Sequence, residues 1–430
     1  MKSKIIPFIF FVFLGVTSSF FAYTLFRPFI SQTVSAGVLL YSIGRLAGLI
    51  GLLSLSIIII SGDTARFFDR FLGMDKIIIF QRKFALVTTL FISSHPLFFI
   101  LSDSSFLSYL IPDFASVPLA LGTLSLYLYL VIMASSILYK RISYDAWQYL
   151  HIATYMLLFF SAYHAISIGS EAGNIMIKSI FYALMACVMI GMIYRISYKI
   201  RQKSDRFSVR QIRWETADTF TLILEPNRKF MFKAGQFCFL RIDKDKLYTR
   251  HPFTISSPPQ EEYLHFTMKL KGRFSRIASQ LKEGEEVIVE GPFGTFTAED
   301  DEKELVFIAG GVGITPFMSM IKDNISNNKK QKITLFYCLK NEGDTIFKNE
   351  LDNIRKSWFK KVCIISQDKK NLAGDEKGYI NKEIIAKHIG KLGNSLFYIC
   401  GPEGLKDAVM KALIDLGVKK QDISIEDFFW

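Results

Sequence analysis

The stretch Trp147-Gln-Tyr-Leu-His151-Ile-Ala-Thr-Tyr-Met-Leu-Leu-Phe-Phe-Ser-Ala-Tyr-His164 is largely apolar and carries two imidazoles. Hydrocarbon is a costly solvent for an ionisable group, so such a residue usually has a partner and a task. Thirteen residues of helix rise about 20 Å. The two histidines therefore lie near opposite faces of an apolar layer about 30 Å thick. A third, His95, sits in another apolar run, Phe91-Ile-Ser-Ser-His95-Pro96. Imidazoles stacked at two depths read as haem ligands on an electron path across a membrane. An ideal helix does not return to the same face after thirteen residues, so this span must bend or bulge.

Working outward, the 430 residues include 40 Phe, with apolar residues concentrated in the first 200 positions and charges in the remainder. Mean hydropathy is +0.27, too apolar for an ordinary soluble chain. Net charge is +13. A nucleic-acid partner is set aside, because basic residues that gather beside membrane spans explain part of the excess. Cys187, Cys238, Cys338, Cys363 and Cys400 form no CxxC pair, which argues against a disulfide framework or a cysteine-ligated cluster.

Six stretches are long and apolar enough to span a bilayer: 5–25, 37–61, 84–102, 114–138, 147–169 and 175–197. Lys2 and Lys4 precede the first. Arg66, Arg70, Lys76, Arg82 and Lys83 fill the second loop, Lys140 and Arg141 the fourth, and Lys199, Arg201, Lys203 and Arg206 follow the sixth. The alternate loops are poor in Lys and Arg. This pattern puts both termini in the cytoplasm of a cell (inner) membrane protein. A cleaved signal peptide at 5–25 is the rival reading; it lacks a clear cleavage site, and its loss would break the alternation. On this topology His151 lies near the cytoplasmic face, and His95 is level with His164 near the outer face.

From about 205, short alternating runs such as Thr219–Leu224 and Phe237–Ile242 read as strands of a small barrel. From about 303, the strands Leu305–Ala309, Ile333–Cys338, Val362–Ile365 and Leu396–Cys400 alternate with helical stretches, which predicts a parallel sheet. The expected architecture is an all-α six-helix membrane bundle over 1–200, a β-barrel FAD domain over 205–300 and an α/β Rossmann-like NAD(P)-binding domain over 303–430. There is no internal repeat and no EF-hand loop.

Gly44-Arg-Leu-Ala-Gly48, Gly73-Met-Asp75, Trp147 and the three histidines resemble the ferric-reductase-like transmembrane domain shared by ferric reductases and NADPH oxidases. The resemblance implies that His95 and His164 clamp one outer haem b. The family usually places another histidine fourteen residues before His95, where this chain has Gln81. Either His151 holds an inner haem with a weaker partner, or that haem is absent. Arg45, a cation inside the second span, would meet a haem propionate or an anionic product such as superoxide; snorkelling to the outer surface is its bland alternative.

Arg250-His-Pro-Phe-Thr-Ile-Ser-Ser257 resembles the flavin-binding signature of the ferredoxin–NADP reductase family. Arg250 offers a planar fork to the FAD pyrophosphate. The resemblance implies that His251, Pro252, Phe253 and Thr254 line the flavin ring, with Ser257 closing the signature. Lys269-Leu-Lys-Gly272-Arg-Phe-Ser275 resembles the second flavin segment, where Gly272 and Ser275 approach phosphate. Gly310-Gly311-Val-Gly313-Ile-Thr315-Pro316 follows a predicted strand and opens a helical run, the context in which glycines and a helix N-terminus hold a pyrophosphate. Cys400-Gly401-Pro402 matches the family segment that puts a cysteine at the nicotinamide, and Phe428 or Trp430 would be the terminal aromatic stacked on the flavin. Lys340 would meet a 2′-phosphate if the donor is NADPH; a solvated lysine fits NADH equally.

The resulting expectation is a membrane flavohaem oxidoreductase. It would carry electrons from NADPH or NADH through FAD and haem b to an outer acceptor. Oxygen is preferred, on Arg45 and the His-Pro-Phe-Thr wording; a ferric chelate, a quinone or a periplasmic protein are the alternatives. A non-enzymatic anchor is disfavoured by the intact nucleotide motifs.

Overall fold

A computed structural model describes residues 2–30, 33–138, 141, 144–169, 173–201, 205–242, 250–299, 302–367 and 376–426. The chain divides into two compact units, Met1–Lys203 and Ser204–Trp430.

The first unit is helical: α1 (Lys2–Phe26), α2 (Ala36–Asp63), α3 (Ala65–Leu72), α4 (Met74–Ser102), α5 (Val117–Ile137), α6 (Tyr144–Ile152), α7 (Thr154–Ile168) and α8 (Ile175–Arg201). Six apolar helical stretches long enough to span a membrane occur among the described residues. This is a multi-pass membrane protein by length and composition. The third span begins at Met74, which corrects the start expected near residue 84, and the basic second loop is itself largely helical. Lys76, Arg82 and Lys83 lower the local hydropathy without breaking the helix, because long cationic side chains can reach an interface from a helix end. The Asp69 carboxylate accepts the Met74 N–H at 2.7 Å, fixing the turn between α3 and α4.

α2 runs against α4 along a line of glycines. A Cβ on Gly44 would meet Phe99 at 2.6 Å, one on Gly48 would meet His95 at 2.6 Å, and one on Gly51 would meet Ile92 at 3.2 Å. Small residues let two membrane helices approach where no hydrophobic driving force separates lipid from protein. Across the bundle, the Tyr155 hydroxyl donates to Asp63 Oδ1 at 2.6 Å and Arg195 bonds the same oxygen at 3.1 Å. Asp63 is almost fully buried, and this ionic cluster ties α2, α7 and α8 together. The fifth span is interrupted as its spacing requires: α6 stops at Ile152, Ala153 is a turn, and α7 begins at Thr154, whose hydroxyl donates to the His151 carbonyl at 2.6 Å.

In the second unit, β1 (Asp205–Thr216), β2 (Thr219–Glu225), β3 (Phe237–Arg241), β4 (His251–Thr254), β5 (Leu264–Lys269) and β6 (Glu286–Phe293) form an antiparallel sheet in the order β4-β3-β6-β1-β2-β5, with α9 (Arg273–Ala278) between β5 and β6. Its inner face is apolar, with Phe207, Phe220, Leu222 and Phe266 fully buried. A second sheet follows: β7 (Glu304–Gly310), α10 (Thr315–Ser326), β8 (Ile333–Leu339), α11 (Lys348–Asp352), β9 (Phe359–Ile365), β10 (Glu376–Lys377), α12 (Lys382–His388), β11 (Ser395–Cys400), α13 (Glu403–Asp415) and β12 (Ile423–Glu426). All its ladders are parallel, in the order β10-β9-β8-β7-β11-β12. Apolar clusters cover both faces, as a parallel sheet requires. The order reverses between β7 and β11, so a crevice opens past their carboxyl ends, where open α/β sheets bind ligands.

Candidate functional site

In the membrane unit, α4 and α7 bring His95 and His164 together, their ring centroids 6.5 Å apart and their planes 77° apart. Each ring is oriented by backbone. His95 Nδ1 donates to the Gly44 carbonyl at 2.9 Å, and His164 Nδ1 donates to the Pro118 carbonyl at 3.0 Å. Anchoring Nδ1 in this way leaves Nε2 with its lone pair, the arrangement of a metal-ligating imidazole. A metal held by both Nε2 atoms at about 2.0 Å would separate the centroids by roughly 6.3 Å. Two glycines make the space. A Cβ on Gly48 would strike His95 Nδ1, and one on Gly122 would lie closer still to His164 Nδ1. A cavity of about 420 Å³ adjoins both rings, lined also by Arg45, Lys178, Tyr41, Phe99 and Phe181. The residues present fit a bis-imidazole haem.

At the other histidine the arrangement differs. His151 is exposed and stacks on Trp147, with centroids 4.8 Å and planes 17° apart. Gln81 donates from its amide to Ser61 Oγ at 3.1 Å and lies against Gly62. No hydrogen bond joins His151 to Gln81 among the described residues.

In the second unit, the β7–α10 and β11–α13 loops meet at the crevice. Gly311 has φ +54°, a left-handed conformation glycine adopts without penalty. A Cβ on Gly313 would come within 2.6 Å of the Cys400 carbonyl carbon. One on Gly310 would meet Pro402 at 2.8 Å and the Leu405 side chain at 2.7 Å. The glycines thus let the two loops touch backbone to backbone. Thr315 and Pro316 open α10 directly after a 3-10 turn over Gly311–Ile314, and the Thr315 N–H donates to the Val312 carbonyl. Cys400 is fully buried at the end of β11, followed by Gly401 and Pro402. Lys340 is exposed just past β8.

At β4, Arg250 pairs with Glu290 at 2.9 Å and lies over the Phe239 ring at 4.8 Å. His251 and Phe253 both pack on Phe274, at 4.6 and 5.4 Å. Thr254 is buried, and its hydroxyl has no hydrogen-bond partner among the described residues. A buried orphan hydroxyl is costly unless something completes it, and the polar edge of a flavin ring would. Pro252 lies between, paired with Phe239 across the β3–β4 ladder. Other residues of the signature are committed within the protein. The Ser257 hydroxyl accepts the His265 N–H at 3.1 Å, and its carbonyl accepts from Ser319 at 2.6 Å. Lys269 pairs with Asp218 at 2.8 Å, and Ser275 Oγ accepts the N–H groups of Lys271 and Gly272. Burial pushes the Cys238 thiol well above its usual range and the Cys338 thiol up to about 12, so both act as apolar packing groups. Phe428 and Trp430 lie outside the described residues.

The family described as "Ferric reductase like transmembrane component" matches residues 44–162, "FAD-binding domain" matches 204–297, and "Oxidoreductase NAD-binding domain" matches 307–411. The chain is a ferric-reductase-like transmembrane component fused to an FAD- and NAD-binding reductase module. The reductase module is similar to the terephthalate 1,2-dioxygenase reductase component 1 of a Comamonas species, 28% identical over 213 residues, 48% of this chain and 62% of that one. It is also similar to a component of the Na(+)-translocating NADH-quinone reductase of Neisseria meningitidis, 31% identical over 166 residues, 36% of this chain and 40% of that one. The ferric-reductase-like chain thus spans less than two thirds of either relative. A flavohaemoglobin structure from Malassezia yamatoensis, solved with FAD and haem, shares fold at a TM-score of 0.52 and 17% identity, over 92% of this chain and 99% of that one.

Sequence reasoning did not find Gly122, Lys178 or the Asp63–Tyr155–Arg195 cluster. The last spans 132 positions. Its only signal was an aspartate and an arginine at the ends of apolar runs.

Proposed function

We propose that this ferric-reductase-like component moves electrons from cytoplasmic NADPH or NADH to an acceptor at the outer face of the cell membrane, and that the acceptor is oxygen. The facing imidazoles of His95 and His164, each fixed by a backbone carbonyl, carry the reading. When bound, FAD would accept a hydride and release its two electrons one at a time, and haem would take them up singly. The chain's own residues supply place and charge. Gly311 and Gly313 admit a dinucleotide pyrophosphate to the start of α10, and Cys400 stands where the nicotinamide would lie. Arg250 exchanges Glu290 for the FAD pyrophosphate, and Thr254 donates to the ring edge. Arg45, in the cavity wall, offers positive charge to superoxide or a propionate.

Arg250→Ala weakens FAD by about 1.5–3 kcal/mol, the range for hydrogen bonds to a charged group. Flavin release on dilution, followed by fluorescence, measures it. Unchanged FAD occupancy would mean that Glu290, not the pyrophosphate, is the partner of Arg250.

The acceptor is tested by reducing the holoprotein anaerobically with NADPH and then admitting air or a ferric chelate. The expected result is reoxidation by air with superoxide-dismutase-sensitive reduction of cytochrome c. Reoxidation by ferric chelate alone would replace oxygen with iron as the substrate.

A further inference from the structure

Lys178 is the fourth residue of α8, where a cation is poorly placed. Asn174 caps this helix, its side-chain oxygen accepting the N–H groups of Met176 and Ile177 at 3.0 and 3.2 Å. The positive end of the helix dipole therefore lies beside the lysine and opposes its charge. Its neighbours Ile177 and Phe181 are buried and apolar. Lys178 nevertheless lines the same cavity as His95, His164 and Arg45. Among the described residues that wall this cavity, Arg45 and Lys178 are the permanent cations, on α2 and α8, and there is no aspartate or glutamate. The half-buried Lys178 has no ion-pair partner among the described residues. A wall that shows, among the described residues, two cations, no carboxylate and a pair of facing imidazoles suits a ligand that brings a metal and carboxylates together.

We propose that Lys178 is the counter-ion of one propionate of the haem held by His95 and His164. The inference rests on the haem reading above and adds the residue that orients and electrostatically tunes the group. A cation beside a propionate offsets its negative charge and so favours the reduced iron. Removing that cation leaves a carboxylate unpaired in a low-dielectric wall, which weakens retention of the group and disfavours reduction.

The test uses the full-length, haem-loaded protein and its Lys178→Met and Lys178→Arg variants. Two quantities are read: the haem midpoint potential by spectroelectrochemical titration, and the rate of haem transfer to apomyoglobin. Lys178→Met is expected to keep the low-spin spectrum, titrate at a more negative potential and lose haem about fivefold faster or more. Lys178→Arg should stay close to wild type in both. A Lys178→Met protein that titrates and holds haem as wild type does would overturn the inference. So would a variant whose only change is a raised KM for ferric citrate, since the lysine would then serve the chelate. A wild type that binds no haem would overturn the parent reading and this one together; a haem-replete wild type with a silent Lys178→Met overturns this one alone.

Discussion

His164→Ala abolishes the low-spin haem spectrum, and His95→Ala does the same. Each removes one of two imidazoles set 6.5 Å apart about a shared position, and nothing else along the two helices offers a nitrogen there. A subtler variant separates the geometry from the ligand. Gly122→Ala keeps both histidines but puts a methyl against His164 Nδ1, where that nitrogen bonds the Pro118 carbonyl at 3.0 Å. The ring must swing, its anchoring bond is lost, and Nε2 leaves the axis shared with His95. Loss of such an outer-shell partner costs on the order of 10–100-fold in metal affinity. Reconstitution with haem, read by absorption spectroscopy, checks both. Normal haem uptake by Gly122→Ala would show that the backbone carbonyl does not set the ring.

The second large effect lies at the nucleotide crevice. Gly313→Ala places a Cβ within 2.6 Å of the Cys400 carbonyl carbon and closer to its oxygen, against backbone that cannot rotate aside. The loops at β7 and β11 must part, and a misplacement near 1 Å costs on the order of 10²-fold in rate. NAD(P)H-driven flavin reduction is expected to fall by about that factor, while dithionite still reduces the flavin. Gly393→Ala is the control, because it lies just before β11 at the opposite end of that strand from Cys400 and its Cβ meets nothing within 4 Å. Stopped-flow reduction of the two variants distinguishes them. Equal rates would place the dinucleotide elsewhere.

What the sequence disclosed follows from how far apart the interacting residues lie. The nucleotide loop is local: strand, glycines, proline and helix occur in one run, and β7, Gly311 and α10 appear where that run predicts. The break at Ala153 was legible because thirteen residues do not divide into whole turns, and α6 ends at Ile152. The start of α4 was not, because hydropathy drops at Lys76, Arg82 and Lys83 while the backbone continues helical from Met74. Gly122 carries no local mark. It is small only because His164, 42 positions away, occupies the place of its missing side chain. Asp63, Tyr155 and Arg195 meet only after three helices have packed, and no window of sequence contains more than one of them.

Anaerobic addition of NADPH to the FAD- and haem-loaded protein in a sealed cuvette tests the central claim most directly. The expected result is bleaching of the flavin band followed by a shift of the haem bands to the reduced form, with the second step lost in His164→Ala and the first retained. A flavin that bleaches while the haem of the wild-type protein stays oxidised would contradict the proposed electron path, since the membrane unit would then not receive the electrons that the reductase module collects.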